Sequence, residues 1–394
     1  MNGLERLNAI AAKGERHVIG MMSGTSVDAI DAALVRIKGS GRTAPELIDF
    51  VSLTYPPDIR TRVKTLFDTP KADTDEICQL DFIVGELFAI AAIHLIEHAG
   101  LTNAGVDLIA AAGQTIWHHP RPIPAIEWMG RSFTTRGTFA IGQAAVIAER
   151  TGIVTVGDLR VRDVAARGHG APLVAYFDWV QGRHATRSRC MQNIGGIGNV
   201  TYVPAGAELG DVTGFDTGPG NMIIDELVFL LSDATETYDR DGERATRGRV
   251  HEGALAWCLE NQYYDLEPPK TTGRERFGRP YARAMISAFP DAAPDDLVHT
   301  ATLLTAHTIA DQYRRWIKGP IDDVIVAGGG AKNPVLMRML RERLPGIEVS
   351  VYEHLEEKEA MAMALIANDS ILGLTTNVSG ATAGEPAILG KICL

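Results

Sequence analysis

Apolar and polar positions near the start of the chain predict a β-hairpin. HVIGMMSG (17–24) is an extended, glycine-punctuated run, TSVD follows as a turn, and AIDAALVRI returns with alternating apolar and polar residues. An alternation with a period of two is typical of a strand with one buried face. ELIDFVSLTYP predicts a third strand. Together with the helical pattern and the strand that follow it, this part of the chain matches one lobe of a mixed sheet.

Helical periodicity appears on both sides of these strands. A long helical pattern runs from about Thr74 to His98, and VDLIAAAGQT then reads as a buried strand that ends in a polar turn. The N-terminal MNGLERLNAIAAKGE has apolar residues at helical spacing but lacks the continuous apolar core of a signal peptide, so we expect a short surface helix. Strands that alternate with helices indicate an α/β fold.

The same pattern begins again in the second half of the chain. RCMQNIGGIGNVTYVP is a second glycine-punctuated hairpin, and DDVIVAGGGAKNPVLMRMLRERL reads as a strand, a glycine turn and an amphipathic helix. A chain of 394 residues exceeds the size at which one core keeps growing, so we expect two lobes. We place lobe I at 1–160, with a C-terminal segment of about 373–394 returning to it, and lobe II at 161–372.

Composition narrows the classes of partner. The formal net charge of −11 argues against nucleic acid or an anionic membrane surface, because affinity for both depends on lysine and arginine. No apolar run is expected to reach the roughly 20 residues of a membrane span. The four cysteines are scattered without a CxxC pair, which indicates neither a disulfide framework nor a zinc site. A cytoplasmic location fits this composition best.

Three glycine-rich turns carry the strongest chemical signal. Gly24-Thr25-Ser26 lies on the first hairpin, Asn193-Ile194-Gly195-Gly196 lies on the second, and Gly328-Gly329-Gly330 separates a strand from a helix. Such turns let backbone N–H groups approach a phosphate, or let the backbone pack against an adenine. Each could equally be an ordinary tight turn. None matches a phosphate-binding GxxxxGK[ST] loop or a Rossmann GxGxxG motif.

Asp216 is a candidate general base. It lies in GFDTGPGN (214–221), which we interpret as a turn that opens the helical run MIIDELVFLL. A carboxylate held in a turn can remove a proton from a reacting group. It can equally cap the following helix. DTG also occurs in aspartic peptidases, which need two such carboxylates, and this sequence contains one DTG.

Five segments together resemble a known family. GMMSGTSVDAID (20–31), NIGGIGNVT, GFDTGPGN, KTTGRERF and AGGGAKNPVLM occur in this order, and the chain resembles anhydro-N-acetylmuramic acid kinases from about His17 to the C-terminal VSGATAG. The resemblance implies the two-lobed actin/hexokinase-like (ribonuclease H-like) ATPase fold, with a phosphate-gripping hairpin in each lobe and ATP in the cleft between them. It also suggests a homodimer.

The resemblance implies roles for individual residues. It makes Asp216 the catalytic base and Glu359 the acid that helps to hold the attacking water, although the helical context of Glu359 alone would suggest a solvated surface charge. The cofactor residues that it implies are Ser23, Gly24, Thr25, Ser26, Asp28, Asn193, Gly195, Gly196, Gly328, Gly329, Gly330 and Asn333. Asp28 would hold Mg²⁺ through water. The implied substrate residues are Gln114, Thr115, Arg160, Arg162 and Asp163.

The activity implied by the resemblance joins two steps. Water opens the 1,6-anhydro bridge of anhydro-N-acetylmuramic acid, and ATP phosphorylates the freed O6 to give N-acetylmuramic acid 6-phosphate, a reaction of cell-wall sugar recycling. Two alternatives remain open: a kinase for another anhydro-sugar such as levoglucosan, and a non-catalytic ATP-binding protein of the same superfamily. The substrate is in question because Ala112 stands where the family has histidine, and His169 where it has glutamine. Arg160 and Arg162 could hold the lactyl carboxylate, or could simply pair with Asp158 or Asp163.

Overall fold

The computed structural model describes residues 2–24, 26–68 and 73–394. These fall into two compact units, Met1–Gln181 with Glu356–Leu394, and Gly182–Leu355. Both boundaries differ from the expected ones at 160 and 372. Helix α14 (Lys358–Ile371) explains the later boundary, because it packs on the strands of the first unit. The chain therefore returns to that unit at residue 356 and not near residue 373.

The first unit combines a mixed sheet with flanking helices. Its strands are β1 Glu15–Ser23, β2 Ala29–Lys38, β3 Glu46–Thr54, β4 Leu108–His119, β5 Ile126–Trp128, β6 Arg131–Phe133, β7 Gly137–Ile141, β8 Thr155–Gly157 and β14 Lys391–Cys393. Its helices, in addition to α14, are α1 Gly3–Ala11, α2 Pro57–Asp68, α3 Thr74–His98, α4 Ala144–Thr151, α5 Leu159–Ala165, α6 Val174–Gly182 and α15 Ser379–Thr382. The predicted N-terminal helix, first hairpin, third strand and long helix are all confirmed.

The second unit has a smaller sheet and more helices. Its strands are β9 Arg189–Ile194, β10 Ile197–Val203, β11 Thr213–Pro219, β12 Asp323–Ala327 and β13 Glu348–Val351. Its helices are α7 Met222–Leu231, α8 Glu243–Arg247, α9 Glu252–Leu259, α10 Arg274–Phe277, α11 Arg279–Ala288, α12 Pro294–Trp316 and α13 Pro334–Arg343. Short 3₁₀ turns lie at Asn103–Gly105, Leu209–Asp211, Arg240–Gly242, Gln262–Asp265 and Gly329–Lys332.

The two sheets repeat one strand order. In the first unit the order is β14-β8-β4-β1-β2-β3, with β7 also paired to β4, and in the second it is β11-β10-β9-β12-β13. Each sheet has three consecutive antiparallel strands, and two later strands continue it in parallel from the first of the three. Each unit thus contains the same five-strand arrangement, in which a β-hairpin begins the sheet.

Each unit has its own hydrophobic core. In the first, Leu80, Val84, Phe88 and Leu95 of α3 pack among buried residues of β1, β2 and β4. Helix α3 has the length and hydropathy of a membrane-crossing helix, so the expectation that no segment has them is wrong. Half of its most apolar window is buried inside the protein, as is usual for a core helix.

Helix α14 lies directly on the backbone of β1. A Cβ atom added to Gly20 would overlap the carbonyl oxygen of Ala360 and lie 2.6 Å from the backbone nitrogen of Ala364. Only a residue without a side chain permits this approach. The glycine of GMMSG therefore sets the distance between the sheet and the helix that carries Glu359.

Candidate active site

In the second unit, the turn of the β9–β10 hairpin is fixed to the start of α7 by backbone hydrogen bonds. Asn221 N donates to Gly195 O at 2.8 Å, and Gly220 N donates to Gly196 O at 2.9 Å. A Cβ atom on Gly220 would overlap Gly195 O, so the two segments are in close backbone contact. The second predicted glycine turn is thus a rigid hairpin end next to a helix N-terminus.

The Gly328–Gly330 turn packs against the end of strand β9. Gly328 has a φ of +83°, and a Cβ atom there would lie 2.6 Å from Asn193 Oδ1 and 2.7 Å from Ile194 O. Asn333 begins α13, because its Oδ1 accepts hydrogen bonds from the N–H groups of the next two residues after Pro334, at 3.0 and 3.1 Å. The structure therefore brings Asn193, the glycine turn and Asn333 together.

A cavity of about 500 Å³ opens beside this turn. It is lined by Asn221, Ile224, Asp225, Thr237, Tyr238, Asp239, Arg240, Asp241, Gly329, Lys332 and Asn333. The pKa of Asp225 is raised to about 7, mainly by burial and also by the neighbouring carboxylates of Glu226 and Asp239. The sequence alone did not predict most of these lining residues, because Asp225 has the pattern of an ordinary charged helix residue and 237–241 has that of an ordinary polar loop.

Asp216 lies within strand β11 and not in a turn that opens a helix, so that interpretation is wrong. Asp216 pairs with Asn199 of β10 in the sheet, and α7 begins later, at Met222. GFDTGP extends the β9–β10 hairpin as a third strand, and this pairing outweighs the turn signal of its glycines and proline. Asp216 consequently does not cap α7.

Three hydrogen bonds hold Asp216 in place. Its N–H donates to Lys270 O at 3.1 Å, its carbonyl accepts from Tyr263 Oη at 2.8 Å, and Oδ2 accepts from the N–H of Thr272 at 2.8 Å. The pKa of its carboxyl group is raised to about 7, mainly by burial and also by the charge of Glu275, while the Thr272 amide and the Lys270 charge oppose the rise. This carboxylate can accept a proton near neutral pH.

In the first unit, the end of β1 is joined to β4. Ser23 Oγ lies 2.6 Å from Gln114 Oε1, and Gln114 Nε2 donates to Thr115 O at 3.1 Å. Gln114 is fully buried, so its amide serves the protein's own hydrogen bonding. Gly24 O accepts from Val27 N at 3.1 Å, Ser26 is exposed, and Thr25 lies outside the described residues.

Asp28 forms an exposed ion pair with Arg60. Arg60 also donates from Nε to Val27 O at 2.9 Å, so it braces the hairpin turn. Within residues 2–24, 26–68 and 73–394, no group of three or more His, Cys, Asp or Glu side chains is arranged to hold a metal ion. Asp28 is therefore a single carboxylate and not part of a protein metal cage.

Asp163 is fully buried, and its carboxylate joins three segments of the first unit. It accepts hydrogen bonds from Gly170 N, Asn377 Nδ2 and Thr382 Oγ1, each at 2.7 Å. Arg160 Nη1 donates to Gly170 O at 2.8 Å. Asp163 thus fixes the loop that follows α5 and the C-terminal segment, which makes it a structural support for its neighbours.

The two arginines of this segment have different environments. Burial lowers the pKa of Arg160, and the nearby carboxylates of Glu359 and Asp163 oppose that effect. Arg162 is exposed. Asp158 accepts from Lys391 Nζ at 2.6 Å. Of the two arginines, Arg160 is therefore the one that interacts electrostatically with Glu359.

Glu359 lies in the first turn of α14, and it is not a solvated surface charge. Burial raises its pKa, the charges of Lys358 and Arg160 lower it, and the carboxylates of Asp31 and Asp178 raise it again. Lys358 itself forms a buried ion pair with Asp178 at 2.7 Å. The helical pattern predicted the wrong environment because it cannot reveal which face of α14 meets the sheet.

His169 is half-buried beside the C-terminal segment. The backbone N–H of His169 donates to Thr382 O at 2.7 Å. In the described part of the chain, the ring atom Nδ1 is buried without a hydrogen-bond partner. Burial lowers its pKa, and the charge of Arg136 lowers it further. Its ring is therefore a neutral group with a free polar atom, and not an ordinary surface histidine.

The class of protein follows from the repeated topology. Two sheets with the same five-strand order, each with a glycine turn at its first hairpin, define the actin/hexokinase-like ATPase fold. The expected fold class is confirmed.

Comparison with known proteins identifies the family. A family model described as anhydro-N-acetylmuramic acid kinase matches residues 16–394. The kinase of that name from Caldanaerobacter subterraneus subsp. tengcongensis is 45% identical over 99% of this chain and 100% of its own length. Those from Bacillus cereus and Salinibacter ruber are each 38% identical, over 95% and 97% of this chain and 98% of their own lengths. The chain belongs to the anhydro-N-acetylmuramic acid kinase family.

Solved structures give more distant matches. The (R)-2-hydroxyglutaryl-CoA dehydratase component A of Acidaminococcus fermentans is 13% identical, covers 90% of this chain and 99% of its own, and has a TM-score of 0.48. A ROK family glucokinase from Streptomyces griseus is 11% identical over 88% of this chain and 98% of its own, with a TM-score of 0.42.

Proposed function

We propose that this protein opens 1,6-anhydro-N-acetylmuramic acid with water and phosphorylates the freed O6 from MgATP. The products are N-acetylmuramic acid 6-phosphate and ADP. The observation that carries the proposal is Asp216, in a member of this kinase family: two backbone hydrogen bonds and one to its carboxylate hold the residue, and its pKa is raised to about 7, mainly by burial. We also propose that the reaction belongs to the cytoplasmic recycling of cell-wall sugar.

The substrate determines why a general base is needed. In a 1,6-anhydro sugar, O6 is bonded to C1, so no hydroxyl at C6 can accept a phosphoryl group until the bridge opens. Asp216 would take a proton from the water that attacks C1, and the bridge oxygen would leave as an alkoxide that receives the γ-phosphoryl group. The general base is most effective when its pKa lies near the working pH, as it does for Asp216.

The glycine turns and the cavity support nucleotide binding in the second unit. The Gly328–Gly330 turn packs closely on β9, and the cavity beside it offers Arg240 and Lys332 as cations and Asn333 as a fixed polar group. We propose that ATP binds here, with Asn193, Gly195 and Gly196 at its phosphates.

Mg²⁺ would be held through water by Asp28. Mg²⁺ usually keeps several waters and needs only one or two carboxylates in addition to substrate phosphates, so the single exposed carboxylate of Asp28 fits that role. When bound, the ion would neutralise negative charge on the transferring phosphoryl group. The predicted phosphate-binding turn of the first unit remains Ser23, Gly24, Thr25 and Ser26.

The remaining assignments are predictions from the family resemblance. They are the assistance of Glu359 to the base, the contacts of Gln114, Thr115, Arg160, Arg162 and Asp163 with the sugar, and the homodimer. The buried hydrogen bonds of Gln114 and Asp163 favour an indirect role, in which they hold neighbouring groups in place.

Gly328→Ala should weaken ATP binding by roughly tenfold or more. An alanine would be strained at a φ of +83°, and its Cβ would press on Asn193 Oδ1 and Ile194 O, so the turn would move. Gly346→Ala is the matched control, because Gly346 has a φ of +79° but no neighbour within 4 Å of an added Cβ. Calorimetric titration with a non-hydrolysable ATP analogue measures the difference, and equal affinities would count against this site.

The choice of sugar is tested by coupled ADP release with each candidate. We expect efficient turnover of the muramic sugar and much slower turnover of levoglucosan, which lacks the lactyl carboxylate. The names of the relatives support this choice over levoglucosan. Efficient turnover of levoglucosan alone would reject the proposed substrate, whereas ATP binding without turnover of either sugar would favour a non-catalytic protein.

A further inference from the structure

Lys270 is a buried lysine whose ammonium group is bonded entirely within the second unit. The residue is 5% exposed. Its Nζ donates to Gln312 Oε1 at 2.6 Å, to Tyr263 O at 3.2 Å and to Tyr264 O at 3.4 Å. The same ammonium group lies 4.7 Å from the centre of the Tyr263 ring. Such a group is costly to bury, and these three acceptors and the ring offset that cost.

The segment from Tyr263 to Thr272 contacts Asp216 from both of its ends. Tyr263 Oη donates to the carbonyl of Asp216, Lys270 O accepts its N–H, and Thr272 N donates to its Oδ2. Among the described residues, one hydrogen bond reaches Oδ2 of Asp216 and none reaches Oδ1. The segment therefore orients the carboxylate and leaves one oxygen to accept a proton.

Helix α12 anchors this segment through Gln312. Gln312 is fully buried, its Oε1 accepts from Lys270 Nζ, and its Nε2 donates to Tyr264 O at 3.1 Å. Trp316 Nε1, one turn further along, also donates to Gln312 Oε1, at 3.1 Å. Lys270 thus joins both ends of the segment to a rigid core helix.

We propose that Lys270 is a positioning residue for Asp216. Its ammonium group fastens the Tyr263–Thr272 segment to α12, so that the Thr272 amide stays on Oδ2 of Asp216 and Oδ1 remains directed to the attacking water. This inference rests on the proposed role of Asp216 as the general base. It gives a function to KTTGRERF, a segment that sequence reasoning used only to recognise the family.

The charge of Lys270 also favours the ionised form of Asp216, the form that can act as a base. The charge of Lys270 lowers the pKa of Asp216, against the effect of burial and of Glu275. The pKa of Lys270 itself is lowered to about 8, mainly by burial and also by the charge of Arg315, while Asp265, Asp311 and Asp216 oppose the shift. Without the ammonium charge, the pKa of Asp216 should rise, so the base would be protonated over a wider pH range.

Lys270→Met tests the proposal, because methionine keeps the apolar stem and removes the charge. We expect kcat to fall roughly 10–100-fold, the scale of a misplaced catalytic group. We also expect the acid limb of kcat/KM to move up by about 0.5–1 pH unit. Lys318→Met is the control, because Lys318 is exposed just beyond α12. It should change neither quantity.

A carboxyl titration separates this inference from the proposed function. ¹³C NMR of aspartate-labelled protein, with Asp216→Asn to assign the signal, reports the pKa of Asp216 whether or not the sugar is turned over. An upward shift in Lys270→Met supports the inference, and an unchanged titration and acid limb in a folded variant overturn it. If Lys270→Met does not fold, Lys270→Gln, which also removes the ammonium charge but keeps a hydrogen-bond donor for Gln312, decides by the same two readouts. An inactive wild type would instead reject the proposed function.

Discussion

Asp216→Asn is expected to fold and to bind ATP but to lose turnover by roughly 10²–10⁴-fold, the usual contribution of a general base. Asparagine keeps the shape of the side chain and can still accept the Thr272 amide. It cannot accept a proton. Stopped or coupled assays of ADP release with the muramic sugar measure the loss, and titration with an ATP analogue checks that binding persists.

The role of Asp216 as the base also predicts how the activity of the wild type changes with pH. Because the pKa of Asp216 is raised to about 7, kcat/KM should fall as the pH drops below about 7, where the base becomes protonated. A raised carboxyl pKa also means that ionisation costs stability, so the folded state loses stability as the pH rises from about 4 to about 7. Asp216→Asn should remove that dependence and be at least as stable as the wild type at pH 8.

A surface variant controls for nonspecific effects. Asp291→Asn changes an exposed aspartate of the same unit and should leave turnover unchanged. Near-normal turnover by Asp216→Asn would reject Asp216 as the base.

Gly20→Ala should destabilise the first unit by about 1–3 kcal/mol and lower kcat at least tenfold. The new Cβ would overlap the carbonyl of Ala360 and lie 2.6 Å from Ala364 N, so α14 would have to move off the sheet. Neighbouring contacts are backbone atoms, which cannot rotate away as a side chain can. Since Glu359 lies in the first turn of α14, the displacement should also affect catalysis.

The matched control for this substitution is Gly137→Ala. Gly137 is also a strand residue of the first unit, in β7, but nothing lies within 4 Å of an added Cβ. Urea unfolding and steady-state kinetics should therefore separate the two variants. Equal stability of Gly20→Ala and Gly137→Ala would show that the close contact of α14 with β1 is not required.

Local patterns predicted the parts of the fold that depend on local sequence. The returning strand β2 alternates apolar and polar residues near its ends, where one face is less buried, and Thr74–His98 is one uninterrupted helix with an aspartate at its N-cap. Both features are set within a few residues of each position. The same holds for the second hairpin and for the strand before Gly328.

Features set by distant contacts could not be predicted in this way. GFDTGP has the composition of a turn, and it is a strand only because β10 is available to pair with it. Lys270 has the sequence appearance of a surface lysine, but the acceptors of its ammonium group come from positions 263, 264 and 312. The partial burial of Glu359 likewise depends on how α14 packs on the sheet, which the helical period of the sequence does not show.

The mass of the product tests the central claim most directly. Purified wild-type protein is incubated with MgATP and 1,6-anhydro-N-acetylmuramic acid, and the sugar is analysed by mass spectrometry with phosphorus NMR. We predict a product heavier than the substrate by one water and one phosphoryl group, with the phosphate on O6 and one ADP formed per sugar. A sugar that gains a phosphoryl group without water, or ADP formed with the anhydro bridge intact, would contradict the account.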